Sequence, residues 1–213
     1  MTGRKPVLIM IYLCLAMLDC CQAVASGTDG EGLSSRQRGA ETFVNLCMLC
    51  HDMKYIEYQD LMQLGLTEKK LDALRRGRSL KSSLHSDMTP DAANKMFGMA
   101  IPDLSLMAIA REKGSEHIYR LLTTYYEKPD GTVDNHEFPQ VRMPDVLGYA
   151  TETDQQSRAA LEAQARDVAA FLGWAAEPNA KYRKRLGVFV LTYLFVLTVL
   201  LYLVKNKVWR RLD

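Results

Sequence analysis

Cys47-Met48-Leu49-Cys50-His51 is the stretch of this chain best suited to chemistry. Two thiols two residues apart, followed at once by an imidazole, form the pattern by which a c-type haem is attached. Thiols one turn apart can each add to a vinyl group at the porphyrin edge. The histidine that follows is then set beneath the iron as proximal ligand. Rival chemistries use the same dithiol. A thioredoxin-like oxidoreductase would want a surrounding βαβ pattern, and none is visible. A zinc site would need two more ligands at suitable spacing. Two exported cysteines could also pair as a disulfide, but the adjoining His51 and the helical surroundings favour haem. Of the five cysteines, Cys14, Cys20 and Cys21 lie in an N-terminal segment expected to be removed, leaving Cys47 and Cys50 alone. One covalent haem c is the expectation.

The second axial ligand is open on residue type alone. His85, His117 and His136 remain, as do Met48, Met53, Met62, Met88, Met96, Met99, Met107 and Met143. Most of these methionines sit in helical-looking runs, where methionine is usually core filler. Met143 differs. It lies in Phe138-Pro139-Gln140-Val141-Arg142-Met143-Pro144, after the turn signal Pro129-Asp130-Gly131. Proline on both sides stiffens such a loop and can present a thioether at a fixed place. A Met/His pair gives a higher reduction potential than two nitrogen ligands.

These residues must be positioned by helices. Residues 26–37 read as a flexible lead-in, and a helix is expected from near Arg38 into the haem motif through Ala40, Phe43 and Val44. Thr67 is a plausible N-cap for a helix carrying Leu71 and Leu74 on one face. Thr89-Pro90 has N-cap and N1-proline chemistry for a helix ending near Gly98. Ser105 to Lys113 and Glu116 to Tyr126 also read as helices. The longest, from about Gln156 to Ala176, lines up Leu161, Ala165, Val168 and Leu172 in an apolar stripe. Strand-like alternation is scarce and there is no internal repeat. The fold class expected is mainly α: a cytochrome c-like haem domain with long loops, followed by one C-terminal transmembrane helix.

The two ends set the address. Arg4 and Lys5 precede an apolar run of 12 residues, Val7 to Leu18, and Ala23-Val24-Ala25 follows. That is the order of a secretory signal, with cleavage expected after Ala25. An uncleaved anchor is the rival. A lipoprotein reading of Cys20 and Cys21 is opposed by Asp19. Leu186 to Val204 is 19 residues without a charge, or roughly 28 Å of helix, close to the hydrocarbon thickness. Lys181, Arg183, Lys184 and Arg185 precede it; Lys205, Lys207, Arg210 and Arg211 follow it, with Trp209 as an interface anchor. With four basic residues on each side, the positive-inside rule is undecided and the signal sets the orientation. The expected layout is 1–25 signal peptide, 26–185 extracytoplasmic haem domain, 186–204 membrane helix and 205–213 cytoplasmic tail in a cell inner membrane. The chain of 213 residues carries a net +2, yet residues 26–180 hold 23 acidic and 17 basic side chains, a net −6. An acidic domain with basic ends argues against a nucleic-acid binder and for a tethered domain whose basic flanks meet anionic lipid. The −6 is ordinary solvation or a means of steering a basic partner.

Taken in order, several stretches resemble the cytochrome c1 family, the haem subunits of quinol–cytochrome c oxidoreductases (bc1 complexes). Phe43-Val44-Asn45-Leu46-Cys47 leads into the motif, with Lys54-Tyr55 after it. Pro102-Asp103-Leu104-Ser105-Leu106 with Arg111 resembles the family's haem-side loop. Phe138-Pro139 with Met143-Pro144 resembles its axial-methionine loop, and Phe171 to Pro178 with Arg183-Lys184-Arg185 and Gly187 its passage into the anchor. The resemblance covers residues 37–211. No piece outside C-x-x-C-H is specific alone; order and spacing together are. It implies Met143 as sixth ligand, Pro102 in the haem-side loop, Arg111 near the propionates and Tyr125 packed by the haem. It implies an electron arriving from a Rieske iron–sulfur protein and leaving to a soluble or membrane-bound cytochrome c, within a dimeric complex containing cytochrome b. The enzyme is then the whole complex, a quinol-oxidising translocase with its quinol sites on cytochrome b. Nothing in this chain needs to make or break substrate bonds.

Three positions depart from the family's habit: Asp52 where serine is usual, Ile101 where a second proline is common, and Arg142 where glycine is frequent. A bulky cation beside the ligand loop bears on haem access and potential. The mature chain also keeps no cysteine pair for a disulfide. An alternative assignment is a tethered monohaem cytochrome feeding a terminal oxidase or nitrite reductase without a bc1 complex. A peroxidase or gas sensor would need an open sixth position.

Overall fold

The computed structural model describes residues 29–209. The expected signal segment, and Arg210 and Arg211 beyond the last helix, lie outside the described residues. Two long helices make the frame: α1 (Asp29–Asn45) and a helix over Gln155–Ala176. Between them run β1 (Met53–Glu57), a 3-10 helix (Tyr58–Leu64), α2 (Glu68–Arg75), β2 (Ser83–Leu84), α3 (Pro90–Phe97), α4 (Met107–Ala110), α5 (Ser115–Thr123), β3 (Tyr125–Glu127) and β4 (Val133–Asn135). The Gln155–Ala176 helix is α6, and α7 (Ala180–Trp209) ends the described chain.

The core forms where α1 crosses α6. Ala40, Phe43 and Val44 on one helix and Ala165, Val168, Phe171 and Leu172 on the other are buried. Phe43 and Phe171 pack with ring centroids 5.5 Å apart, and Trp174 stacks on Phe171 at 5.9 Å. The backbones come this close because position 39 has no side chain: a Cβ on Gly39 would lie 2.0 Å from the Asp167 carbonyl oxygen. α5 buries Ile118 and Leu122, and Gly173 lets the Ser115 hydroxyl approach α6 in the same manner.

α1 starts nine residues before the expected Arg38, replacing most of the expected lead-in with helix. A tertiary contact accounts for this. The buried Asp167 carboxylate accepts from Ser35 Oγ at 2.6 Å and from Arg38 Nε and Nη2 at 2.6 and 2.9 Å, fixing α1 through its polar first half. The two capped helices form as expected. Thr67 Oγ1 accepts from the Lys70 amide before α2, and Thr89 Oγ1 from the Ala92 amide before α3. α6 begins with Asp154 accepting from the Ser157 amide at 2.8 Å.

The helix expected over 105–113 shrinks to the four residues of α4. The Ser105 amide and hydroxyl are taken by Asp103 and by the Tyr55 amide, and Lys113 and Gly114 turn left-handed, with φ of 67° and 52°. The helix expected to reach Tyr126 stops at Thr123. Thr123 and Thr124 hydroxyls cap the carbonyls of Tyr119 and Arg120 at 2.9 and 2.7 Å, and Tyr125 turns into a strand. β3 pairs antiparallel with β4, Tyr125 opposite Asn135, across the Pro129-Asp130-Gly131 turn. β1 and β2 pair antiparallel as well.

α7 is 30 residues long, with no buried residue, and at 1.5 Å rise per residue spans about 45 Å. Its length and composition fit a single membrane crossing. Thr192 and Thr198 donate to the Val188 and Leu194 carbonyls of the same helix, so their hydroxyls need no outside partner in hydrocarbon.

The contact at Gly39 gives a direct expectation. Gly39→Ala forces the α1 and α6 backbones apart and should destabilise the domain by about 1–3 kcal/mol, read as a lower thermal unfolding midpoint. An unchanged midpoint would mean the helices do not touch there.

Candidate functional site

α1 ends at Asn45 and the chain tightens at once. The Leu46 amide donates to the Thr42 carbonyl, and the Cys47 carbonyl then accepts from both the Cys50 amide (3.1 Å) and the His51 amide (2.8 Å). That doubled bond closes the turn carrying the two thiols and the imidazole. Met48 points inward, buried, where its sulfur accepts from Tyr58 Oη at 3.6 Å. Cys47 and Cys50 are not joined in a disulfide, and both are partly exposed. Burial, with the charge of Cys50, pushes the Cys47 thiol up to about 12. It stays protonated at neutral pH, unlike the acidic nucleophile of a dithiol oxidoreductase. Among the described residues no cluster of three or more His, Cys, Asp or Glu is arranged for a metal ion, so the zinc reading finds no ligand set there.

His51 is held from a segment 51 residues away. Its Nδ1 lies 2.8 Å from the Pro102 carbonyl oxygen. A carbonyl only accepts, so Nδ1 carries the proton and Nε2 keeps its lone pair, as a metal-binding imidazole requires. Burial pushes the His51 pKa down; the Pro102 carbonyl and the carboxylates of Asp52 and Asp103 oppose this in part. The Pro102–Leu106 loop is fastened along β1. The Leu104 amide donates to the Asp52 carbonyl (2.9 Å), the Lys54 amide to Asp103 Oδ2 (3.0 Å) and the Tyr55 amide to Ser105 Oγ (3.2 Å). Asp52 has a structural role: Oδ1 accepts from the Ser86 amide at 2.8 Å and lies 3.5 Å from His85 Nδ1, while Ser86 Oγ donates to the Leu49 carbonyl. Leu49, Leu106 and Ile109 are exposed apolar side chains on the attachment turn and on the chain just after Pro102. Two thiols on one turn, an imidazole with Nε2 free of the bond to Pro102, and exposed apolar side chains on that turn and just after Pro102 fit a covalently held porphyrin.

The Met143 loop is a second pinned unit. The β3–β4 hairpin supplies the pins. Asp134 Oδ1 accepts from the Gln140 amide (2.7 Å) and the Asn135 amide (2.8 Å), and Oδ2 is 2.7 Å from Lys128 Nζ. Asn135 Oδ1 accepts from the amides of Glu137 and Phe138, and its Nδ2 donates to the Leu121 carbonyl. Gln140 takes φ 62°, the left-handed bend that turns the loop back. Buried Tyr125 donates from Oη to the Met143 carbonyl at 3.0 Å. Burial and the charge of Asp145 push the Tyr125 pKa up, so it remains a donor. The Met143 side chain is half-buried against the core and lines a cavity of about 380 Å³ with Val133, Val141, Asp145 and Thr151.

Hydrogen bonds therefore gather the expected site residues into two groups, Cys47, Cys50, His51 and Pro102 in one, Tyr125 and Met143 in the other. Arg111 joins neither: its side chain is exposed at the end of α4, where its carbonyl accepts from the Gly114 amide. Sequence reasoning missed Asp134 and Asn135, which pin the Met143 loop, and named Asp103 only within the haem-side stretch, without its bond to the Lys54 amide. Asp134-Asn135 begins three residues past Gly131 of the Pro129-Asp130-Gly131 turn, and that turn was the available signal.

A sequence profile described as the Cytochrome C1 family matches residues 32–212. The chain is 32% identical over 220 residues to cytochrome c1 of Allochromatium vinosum, covering 87% of this chain and 88% of that one. It is 29% identical over 201 residues to the ammonia monooxygenase gamma subunit of Nitrosomonas europaea, covering 85% of each. It is also 29% identical over 225 residues to cytochrome b/c1 of Bradyrhizobium diazoefficiens, covering 81% of this chain and 32% of that longer one.

Asp134 gives the loop an acid limit. The bond from Lys128 first, then the Asn135 and Gln140 amides, hold its carboxyl at about 2, below the ordinary 3.8. A depressed carboxyl contributes stability that is present above pH 3.8 and lost as pH falls through 2. Asp134→Asn should flatten the near-ultraviolet circular dichroism loss across that window; superimposable acid titrations would contradict the pin.

Proposed function

The chain belongs to the cytochrome c1 family, and from that premise we propose that it is the haem-bearing electron-transfer subunit of a quinol–cytochrome c oxidoreductase. The family carries one covalent haem c, which when bound supplies a one-electron ferric–ferrous couple. Cys47 and Cys50 hold it through thioethers, and His51 Nε2 and the Met143 sulfur hold its iron. The Pro102 carbonyl fixes the His51 ring and tautomer. Tyr125 steadies the backbone of Met143 and packs beside the haem. Arg111, exposed at the end of α4, would pair with a propionate, since a guanidinium is well matched to a carboxylate.

The domain lies outside the cytoplasmic membrane, anchored by α7 with its C-terminus in the cytoplasm. Electrons arrive from a Rieske iron–sulfur protein and leave to a cytochrome c, in a dimeric assembly with cytochrome b that oxidises quinol. The observation that carries this reading is the bond from His51 Nδ1 to Pro102 within a C-x-x-C-H turn, 2.8 Å long, which leaves one ring nitrogen free beside two thiols. Isolation of the native complex tests it: cytochrome b and a Rieske protein should co-purify with this chain. The likeness to an ammonia monooxygenase gamma subunit supports a second reading, a tethered monohaem subunit serving another oxidoreductase. Co-purification with such an enzyme, and with no cytochrome b, would favour it.

Met143→Leu should abolish the methionine-ligated low-spin spectrum and lower the potential by a sizeable part of the ~0.8 V range that axial ligands control. An unchanged spectrum would remove Met143 from the ligand set.

A further inference from the structure

Arg142 stands beside Met143, yet its guanidinium points away into another element. Nη1 donates to the carbonyls of Phe97 (2.9 Å) and Gly98 (3.1 Å). These two carbonyls lie at the C-terminal end of α3, where the helix leaves acceptors without intrahelical donors and carries partial negative charge. A cation there makes charge-assisted bonds, stronger than neutral ones. Gly98 is fitted to the contact in two ways. It takes the left-handed cap conformation, φ 66°, with its amide donating to the Asn94 carbonyl. It also leaves room: a Cβ at this position would fall 2.8 Å from Arg142 Nη1.

α3 has little else to locate it. It buries only Ala93, while Met96 and, just beyond it, Met99 are 68% and 46% exposed. Little apolar burial holds the segment, so a polar clamp has a large share in fixing it. The Met143 loop is pinned at its start by Asp134 on Gln140, and the carbonyl of Met143 by Tyr125. Between those pins, Arg142 ties the loop across to the chain 45 residues earlier.

We propose that Arg142 is a positioning residue, clamping the Met143 loop to the end of α3 and so keeping the Met143 thioether in place against competing ligands. The proposal rests on Met143 being the iron's sixth ligand. Breaking the clamp leaves the thioether attached but lets its loop open more often. Losing bonds to a charged donor corresponds to about tenfold in an opening equilibrium.

The test uses the membrane-anchored holoprotein in its ferric state. The rate at which added imidazole replaces methionine is read from loss of the methionine-to-iron charge-transfer band, beside the thermal midpoint and the haem content. Arg142→Gly should speed imidazole capture about tenfold with haem content unchanged. Arg142→Lys, which keeps the charge on a differently shaped head, should stay closer to wild type than Arg142→Gly. Gly98→Ala should resemble Arg142→Gly by displacing the guanidinium while keeping it. A wild-type capture rate in Arg142→Gly would overturn the clamp, and if Arg142→Gly does not assemble, a wild-type rate in Gly98→Ala does the same. A Met143→Leu spectrum identical to wild type would overturn the ligand assignment and the clamp together. A spectrum that responds to Met143→Leu but a capture rate indifferent to Arg142 removes the clamp alone.

Discussion

The hydrogen bond from His51 Nδ1 to the Pro102 carbonyl joins two segments that are distant in sequence and makes one nitrogen of the ring available. An imidazole on a short turn can rotate and exchange tautomers; the carbonyl removes both freedoms, as acceptors bonded to the outer nitrogen of metal-binding histidines do. That carbonyl must itself be fixed. The Asp52 carbonyl, the Lys54 and Tyr55 amides and the side chains of Asp103 and Ser105 stitch the Pro102 loop to β1. The attachment turn hangs from α1, and α1 is held by α6 through Gly39, Phe43, Phe171 and the buried Asp167. Local chemistry at His51 thus inherits its precision from a helix crossing built at the other end of the chain.

The two halves of the candidate site are supported in different ways. The cysteine–histidine half sits on the hydrophobic core, with Met48 and Tyr58 buried beneath it. The methionine half sits on polar pins, Asp134, Asn135 and Tyr125, at the rim of a small hairpin. Apolar packing is non-directional, whereas hydrogen bonds fix angles and break singly. A loop held this way can be firm at rest and open as a unit, which suits the role proposed for Met143, a ligand set by protein geometry and not by a covalent link.

Legibility in the sequence followed the range of the interactions. C-x-x-C-H was readable because its chemistry is contiguous. The caps at Thr67 and Thr89 and the stripe through Ala165, Val168 and Leu172 were readable because they repeat within a turn or two. The early start of α1 was not, because the chain up to residue 37, Ser35 included, read as loop; Asp167, about 130 residues later, accepts from Ser35 and Arg38 and holds it as helix. The strands at Tyr125 and Val133 are three residues each, too short to show alternation. Met143 stood out for its prolines, but the residues that fix its loop are an aspartate and an asparagine that could equally have faced water. Arg142 was visible as a departure from the family's habit; what it touches, the end of α3, was not.

Thioether attachment at the two cysteines is the claim on which the functional account stands. Mass analysis of peptides from the purified native protein, after extraction with acidified organic solvent, measures it directly. The peptide containing Cys47, Cys50 and His51 should retain the mass of one haem and offer no thiol to an alkylating reagent. Complete loss of porphyrin to the solvent, with both cysteines alkylated, would contradict it.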